Sequence, residues 1–190
     1  MPAFRRHLAT TATDALRAIP TVEAPGIYAV SFFVYDDGDD PRRPTLTVGY
    51  NTETQVRTCL ARASDESEAR WNYAFWLQNK LAIVGREKRD PAGAELRERW
   101  IREAGLWFEI EGSPFRAAET TKGKAITSTF VGWCVALGRE LHDSGVIMSV
   151  FGRTIPIIVH ELEYYEAIAV QTAAANPPGL TEDFAEFVWG

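Results

Sequence analysis

The chain has 190 residues, a net charge of −6, a pI near 5.2, and 46% hydrophobic and 12% aromatic residues. That is enough to fill the core of one domain, residues 1–190, and with 24% charged residues it excludes disordered and fibrous classes. The acidic balance argues against non-specific nucleic-acid binding, which needs a basic face to displace phosphate counterions, and suits a basic protein partner.

Phe4, Leu8, Ala12, Ala15, Leu16 and Ile19 recur at helical spacing ahead of Pro20, so the first amphipathic helix is expected over 3–19. The mixed Thr, Asp and Arg of this stretch do not form the unbroken apolar run of a secretory signal. Nor does any later stretch reach about 18 uninterrupted apolar residues. A cytoplasmic protein without a membrane span is expected.

The period then shortens. Residues 27–35 and 45–50 are rich in β-branched and aromatic side chains, and "YDDGDDPRRP" joins them, which reads as a β-hairpin with a charged tip. The first strand is apolar on both faces, as a central strand covered on both sides would be. Thr52 with Gln55 has the form of a capping box, and Val56, Cys59, Leu60 and Ala63 continue as an apolar stripe over a helix at about 52–64.

"ARWNYAFWLQ" follows the acidic "SDESE". Neither the helical nor the strand period fits it, so it is either core or a partly exposed aromatic patch, with Tyr73 and Trp76 the better candidates for exposure. Asp90 ahead of Pro91 starts a helix that Gly105 stops, and "LWFEIEG" after it reads as a short strand. Ile126, Phe130, Cys134, Leu137 and Leu141 mark a central helix over about 124–142; Gly132 and Gly138 inside it suggest close approach of another backbone. "VIMSVFG" and "IPIIVHE" read as strands, and "LEYYEAIAVQTAAAN" as a helix. The tail carries Phe184, Phe187 and Trp189 and is expected to dock. The order of elements implies an α+β fold, a mainly antiparallel sheet with helices packed on it.

Chemistry-bearing motifs are sparse. The carboxylates of "YDDGDD" lack the spacing of a calcium loop and read as a solvated turn. "HELEYYE" has Tyr164 where a zinc protease helix needs its second histidine, so no metal and no cofactor are expected. Its bland reading is a strand-to-helix junction with Glu161 and Glu163 at the positive end of the helix dipole. "TTKGKAITST" is a weak candidate for an anion at a helix start. Cys59 and Cys134 lie on apolar stripes and read as reduced core residues.

Taken together and in order, "IYAVSFFVYDDG", "YNTE", "EARWNYAFW", "HELEYYE" and "ANPPGL" resemble an uncharacterised bacterial domain-of-unknown-function family, number four-three-zero-three. The resemblance spans about Ile27 to Leu180. It implies a small cytoplasmic α+β protein similar to those encoded beside polymorphic toxins, many of them regarded as immunity factors, and it assigns no catalytic residue.

The leading expectation is therefore a non-catalytic, immunity-type interaction protein that binds a protein partner such as a basic toxin. Its candidate contacts are Asp36, Asp37, Asp39 and Asp40 at the hairpin tip, with Asp65, Glu66, Trp71, Tyr73 and Trp76 as a second patch. One alternative is a small enzyme of unrecognised class using His160, Glu161, Glu163 and Tyr164 or Tyr165 as acid/base groups. Another is a subunit of a larger bacterial assembly, docked through its tail.

Overall fold

The computed structural model describes residues 1–110 and 120–190. Four strands, β1 (Ile27–Asp36), β2 (Pro44–Thr52), β3 (Ala82–Val84) and β4 (Ile157–His160), form one sheet in the order β3-β2-β1-β4. β1 pairs antiparallel with β2, and β2 with β3, but β1 and β4 run parallel. The sheet is thus mixed and mostly antiparallel. β1 is central, and Ile27 through Phe32 are all buried, as its two apolar faces require.

Alternation along the strands builds two cores. Val30, Phe32, Val34, Leu46, Val48, Ile157 and Val159 face one side, where they meet α1 (Ala3–Arg17), α5 (Thr121–Asp143) and α6 (Val146–Phe151), with Trp100 and Ile101 of α4 (Pro91–Glu103). The opposite face carries Tyr28, Ala29, Phe33 and Ile158. It is covered by α2 (Glu53–Cys59), α3 (Glu66–Trp71), a turn at 73–75, and Phe184 of α8 (Glu182–Trp189).

α7 (Glu166–Ala175) closes the β4 edge. An edge strand leaves backbone groups unpaired, and side chains from this helix and its C-terminal cap complete them. Thr172 Oγ1 accepts from the Val159 N–H at 3.1 Å, Gln171 Nε2 donates to the Val159 carbonyl at 2.8 Å, and Asn176 both accepts from Ile157 N–H at 2.8 Å and donates to its carbonyl at 2.7 Å.

Several expectations change. "VIMSVF" is the helix α6, entered at Gly145 and left at Gly152, both with left-handed backbone. Residues 106–110 form no strand, and the end of that stretch lies outside the described residues. Glu161 and Glu163 precede α7 in a loop, so Glu166 alone occupies its first turn. The tail does dock: Phe184 packs edge-on against Trp71 and Tyr164, so its apolar face is used within the chain and only Trp189 remains well exposed.

The two glycines of α5 differ. A Cβ at Gly138 would lie 2.9 Å from Ala175 Cβ and 3.2 Å from its carbonyl oxygen, so this glycine lets α7 approach, whereas a Cβ at Gly132 meets nothing within 4 Å. Gly132→Ala is expected to stabilise the protein by about 0.5–1 kcal/mol. Gly138→Ala should destabilise it by about 1 kcal/mol or more despite the same gain in helix propensity. Urea denaturation of both variants checks the contrast.

Candidate functional site

The aromatic run is core. α3 ends at Trp71; Asn72 Oδ1 then accepts from the Ala74 N–H at 3.0 Å, and the Trp76 indole donates back to the Arg70 carbonyl at 2.8 Å. This tight reversal explains why neither period fits: the backbone changes conformation at Asn72, yet Trp71, Tyr73 and Trp76 all turn to the sheet. They are only 6%, 8% and 4% exposed, which overturns their assignment as partner contacts. Large rings gain more by burial against Tyr28, Phe33 and Phe184 than they lose in freedom.

His160 is fully buried at the end of β4, surrounded by the rings of Phe33, Tyr73, Trp76 and Tyr164 at 4.6–5.9 Å. Its Nδ1 lies 2.9 Å from the Glu161 carbonyl, which can only accept, so Nδ1 carries the proton. Nε2 is then the acceptor for the Ser31 hydroxyl at 2.8 Å. Serine, imidazole and orienting carbonyl have the connectivity of a nucleophile and its base, but both side chains are sealed in the core and no substrate atom can reach them. Burial also lowers the imidazole pKa to about 4. The acid/base role of His160 is therefore corrected to a packing role, as is that of Tyr164, a half-buried ring beside it whose hydroxyl is sealed from solvent.

The four aspartates of the hairpin tip separate. Gly38 and Asp39 take left-handed backbone, at φ 70° and 57°, and splay the carboxylates apart. Asp40 turns inward, where Arg42 binds it through Nε at 3.0 Å and Nη2 at 2.9 Å, and it is not an exposed contact. Burial alone would raise its pKa, but the hydrogen bonds and charge of Arg42, with Arg43, outweigh this and hold it low. Asp37 pairs with Arg86 at 3.3 Å. Asp39 is exposed. Asp65 and Glu66 are also exposed, Asp65 Oδ1 capping α3 through the Glu68 N–H at 2.8 Å.

Asp36 belongs to a different place. It lies at the end of a groove of about 880 Å³ between α5 and α7, whose walls include Val131, Val135, Ala167 and Val170. Glu161 and Tyr165 share that end, the Tyr165 hydroxyl donating to Glu161 Oε1 at 3.0 Å, and Lys124 and Glu166 also line it. Partial burial, then repulsion from Glu161, Asp40 and Asp39, raises the Asp36 carboxyl to about 7. Gly138 and Ala175 hold the helices in contact near their C-terminal ends, and the groove opens towards their N-terminal halves. Val170 is 58% exposed within it. An apolar trough ending in two carboxyls can bury an aliphatic or aromatic side chain beside a cation. Nothing in the spacing of residues 124–135 and 161–174 foretold that they would converge.

No helix among the described residues is long and apolar enough to cross a membrane, and no group of three or more His, Cys, Asp or Glu side chains there could hold a metal ion. Compared with family models, with curated proteins and with solved structures, the chain matches none of them.

Proposed function

We propose that this chain is a non-catalytic, immunity-type cytoplasmic protein that binds a basic protein partner, such as a toxin, through the groove between α5 and α7. The observation that carries the reading is the pairing of an apolar wall, half-buried at Val131 and exposed at Val170, with the carboxyls of Asp36 and Glu161 at one end. A lysine or arginine flanked by an apolar residue complements it, and the net charge of −6 favours encounter with a cationic protein.

The test is a pull-down and titration with the product of a toxin-like reading frame adjacent to the gene. Val170→Asp, at an exposed position, is expected to weaken binding at least about tenfold while leaving thermal stability nearly unchanged. Glu161→Lys with Glu166→Lys should slow association at low salt by about tenfold or more, with the difference shrinking at high salt. Binding indifferent to all three substitutions rejects the groove as the interface.

A second reading is favoured by one fact, the Asp36 carboxyl held near neutrality in a groove with apolar walls. It is a small acid–base enzyme using Asp36 with Glu161 and Tyr165. Turnover whose pH profile breaks near 7, and loses that break in Asp36→Asn, would support it over the first.

A further inference from the structure

A second cavity, of about 440 Å³, lies on the far side of the hairpin tip, lined by Arg42, Arg43, Glu87, Glu95, Arg97 and Trp107 among others. Arg97 projects from α4 and is only 7% exposed. Its Nη1 donates to the carbonyl of Gly85, a residue whose φ of +86° turns that oxygen towards it. Nε is buried with no partner, and among the described residues neither Nε nor Nη2 donates to any group and no carboxylate forms an ion pair with this guanidinium. A buried arginine left with one acceptor for five N–H groups is costly. Nη2, which has no acceptor among the described residues and is not sealed from solvent, is the donor it offers to an oxyanion.

The other charges of the cavity are unevenly spent. Asp40 is shared by Arg42 and Arg43, at 2.9 and 3.6 Å, and Glu98 is held by Arg102 at 2.8 Å. Glu87 and Glu95 are exposed and have no ion pair among the described residues. Among the described residues the cavity therefore has one buried cation without an ion pair, Arg97, and two exposed carboxylates without one, Glu87 and Glu95. A dianion such as phosphate would meet those carboxylates; a singly charged carboxylate with a cationic far end would satisfy both.

We propose that this cavity binds a small zwitterion, its carboxylate taken by the Nη2 group of Arg97 and its ammonium group by Glu87 and Glu95. The site is separate from the groove between α5 and α7 and does not depend on the function proposed for that groove.

Calorimetric titration of the full chain with 4-aminobutyrate, acetate, inorganic phosphate and n-butylamine tests the assignment. The expected result is saturable binding of 4-aminobutyrate with Kd below about 1 mM, weaker binding of acetate, and none of n-butylamine. Arg97→Gln should weaken 4-aminobutyrate by about thirtyfold or more. Glu95→Gln, on the exposed face of α4, should weaken 4-aminobutyrate about two- to threefold without weakening acetate. Should Arg97→Gln fail to fold by circular dichroism, Arg97→Lys keeps the charge and removes Nη2, and is expected to lose binding likewise. The proposal is overturned if the unsubstituted protein shows no saturable binding of 4-aminobutyrate, if phosphate binds more tightly than either carboxylate, or if a folded Arg97 variant binds as the parent does.

Discussion

Replacing His160 by alanine is expected to lower stability by about 3–5 kcal/mol, as for loss of a buried ring. Four aromatic side chains lose their central contact, and both the Ser31 hydroxyl and the Glu161 carbonyl lose their partner. For a chain of this length the melting temperature should fall by roughly 6–20 °C. Ser31→Ala, which strands only the acceptor at Nε2, should cost less, about 1–3 kcal/mol. The effect has a pH signature. The folded imidazole, with its pKa near 4, stays neutral where the unfolded one, near 6.5, already binds a proton. Its contribution is complete above about pH 6.5 and is lost as pH falls towards 4, a change of about 3 kcal/mol. The gap between parent and His160→Ala should narrow by that order between pH 7 and pH 4 in urea titrations. A constant gap, or a variant as stable as the parent, would mean that this histidine is not the sealed, neutral group described above.

Asp36→Asn is expected to do the opposite and stabilise the fold at pH 8, by about 2–3 kcal/mol once solvent screening of this partly exposed group is allowed for. Burial, and the repulsion of Glu161, Asp40 and Asp39, partly opposed by Arg97, raise the folded carboxyl from 3.8 to about 7. Between those values the folded chain keeps a proton that the unfolded chain has released, so ionising Asp36 erodes stability as pH rises from about 4 to 7 and no further above it. The gain from asparagine should therefore be near zero at pH 3–4 and level off above 7. Thermal melts across that range measure it; a gain independent of pH would remove the unfavourable carboxylate from the end of the groove. A position that lowers stability when charged yet faces an apolar trough suits a binding role better than a structural one.

Where local pattern and burial agree, the chain can be read directly. The stripes of α1 and α5, Asp90 and Pro91 at the start of α4, the capping of α2 by Thr52 and the covered central strand β1 all follow from spacing. Each rests on interactions within a few residues or on a period that one element imposes. The helical outcome at 146–151 could not be read this way, because a short run of five apolar residues and one serine suits either structure and the left-handed glycines on either side decide between them. The aromatic run at 71–76 was equally open, since its burial depends on a sheet face built from residues as distant in the chain as Tyr28 and His160.

The sequence by itself determined the acidic charge, the element types with strong periods and the α+β class, because these depend on composition and near neighbours. Only the tertiary structure decided which polar groups meet. It sealed His160 against Ser31, split the aspartates of the hairpin tip, brought Asp36 to Glu161 across 125 positions, and left the buried Arg97 without an ion pair among the described residues. Such meetings are set by how strands pair and helices cross, and no periodicity along a chain encodes the distance between side chains on different elements.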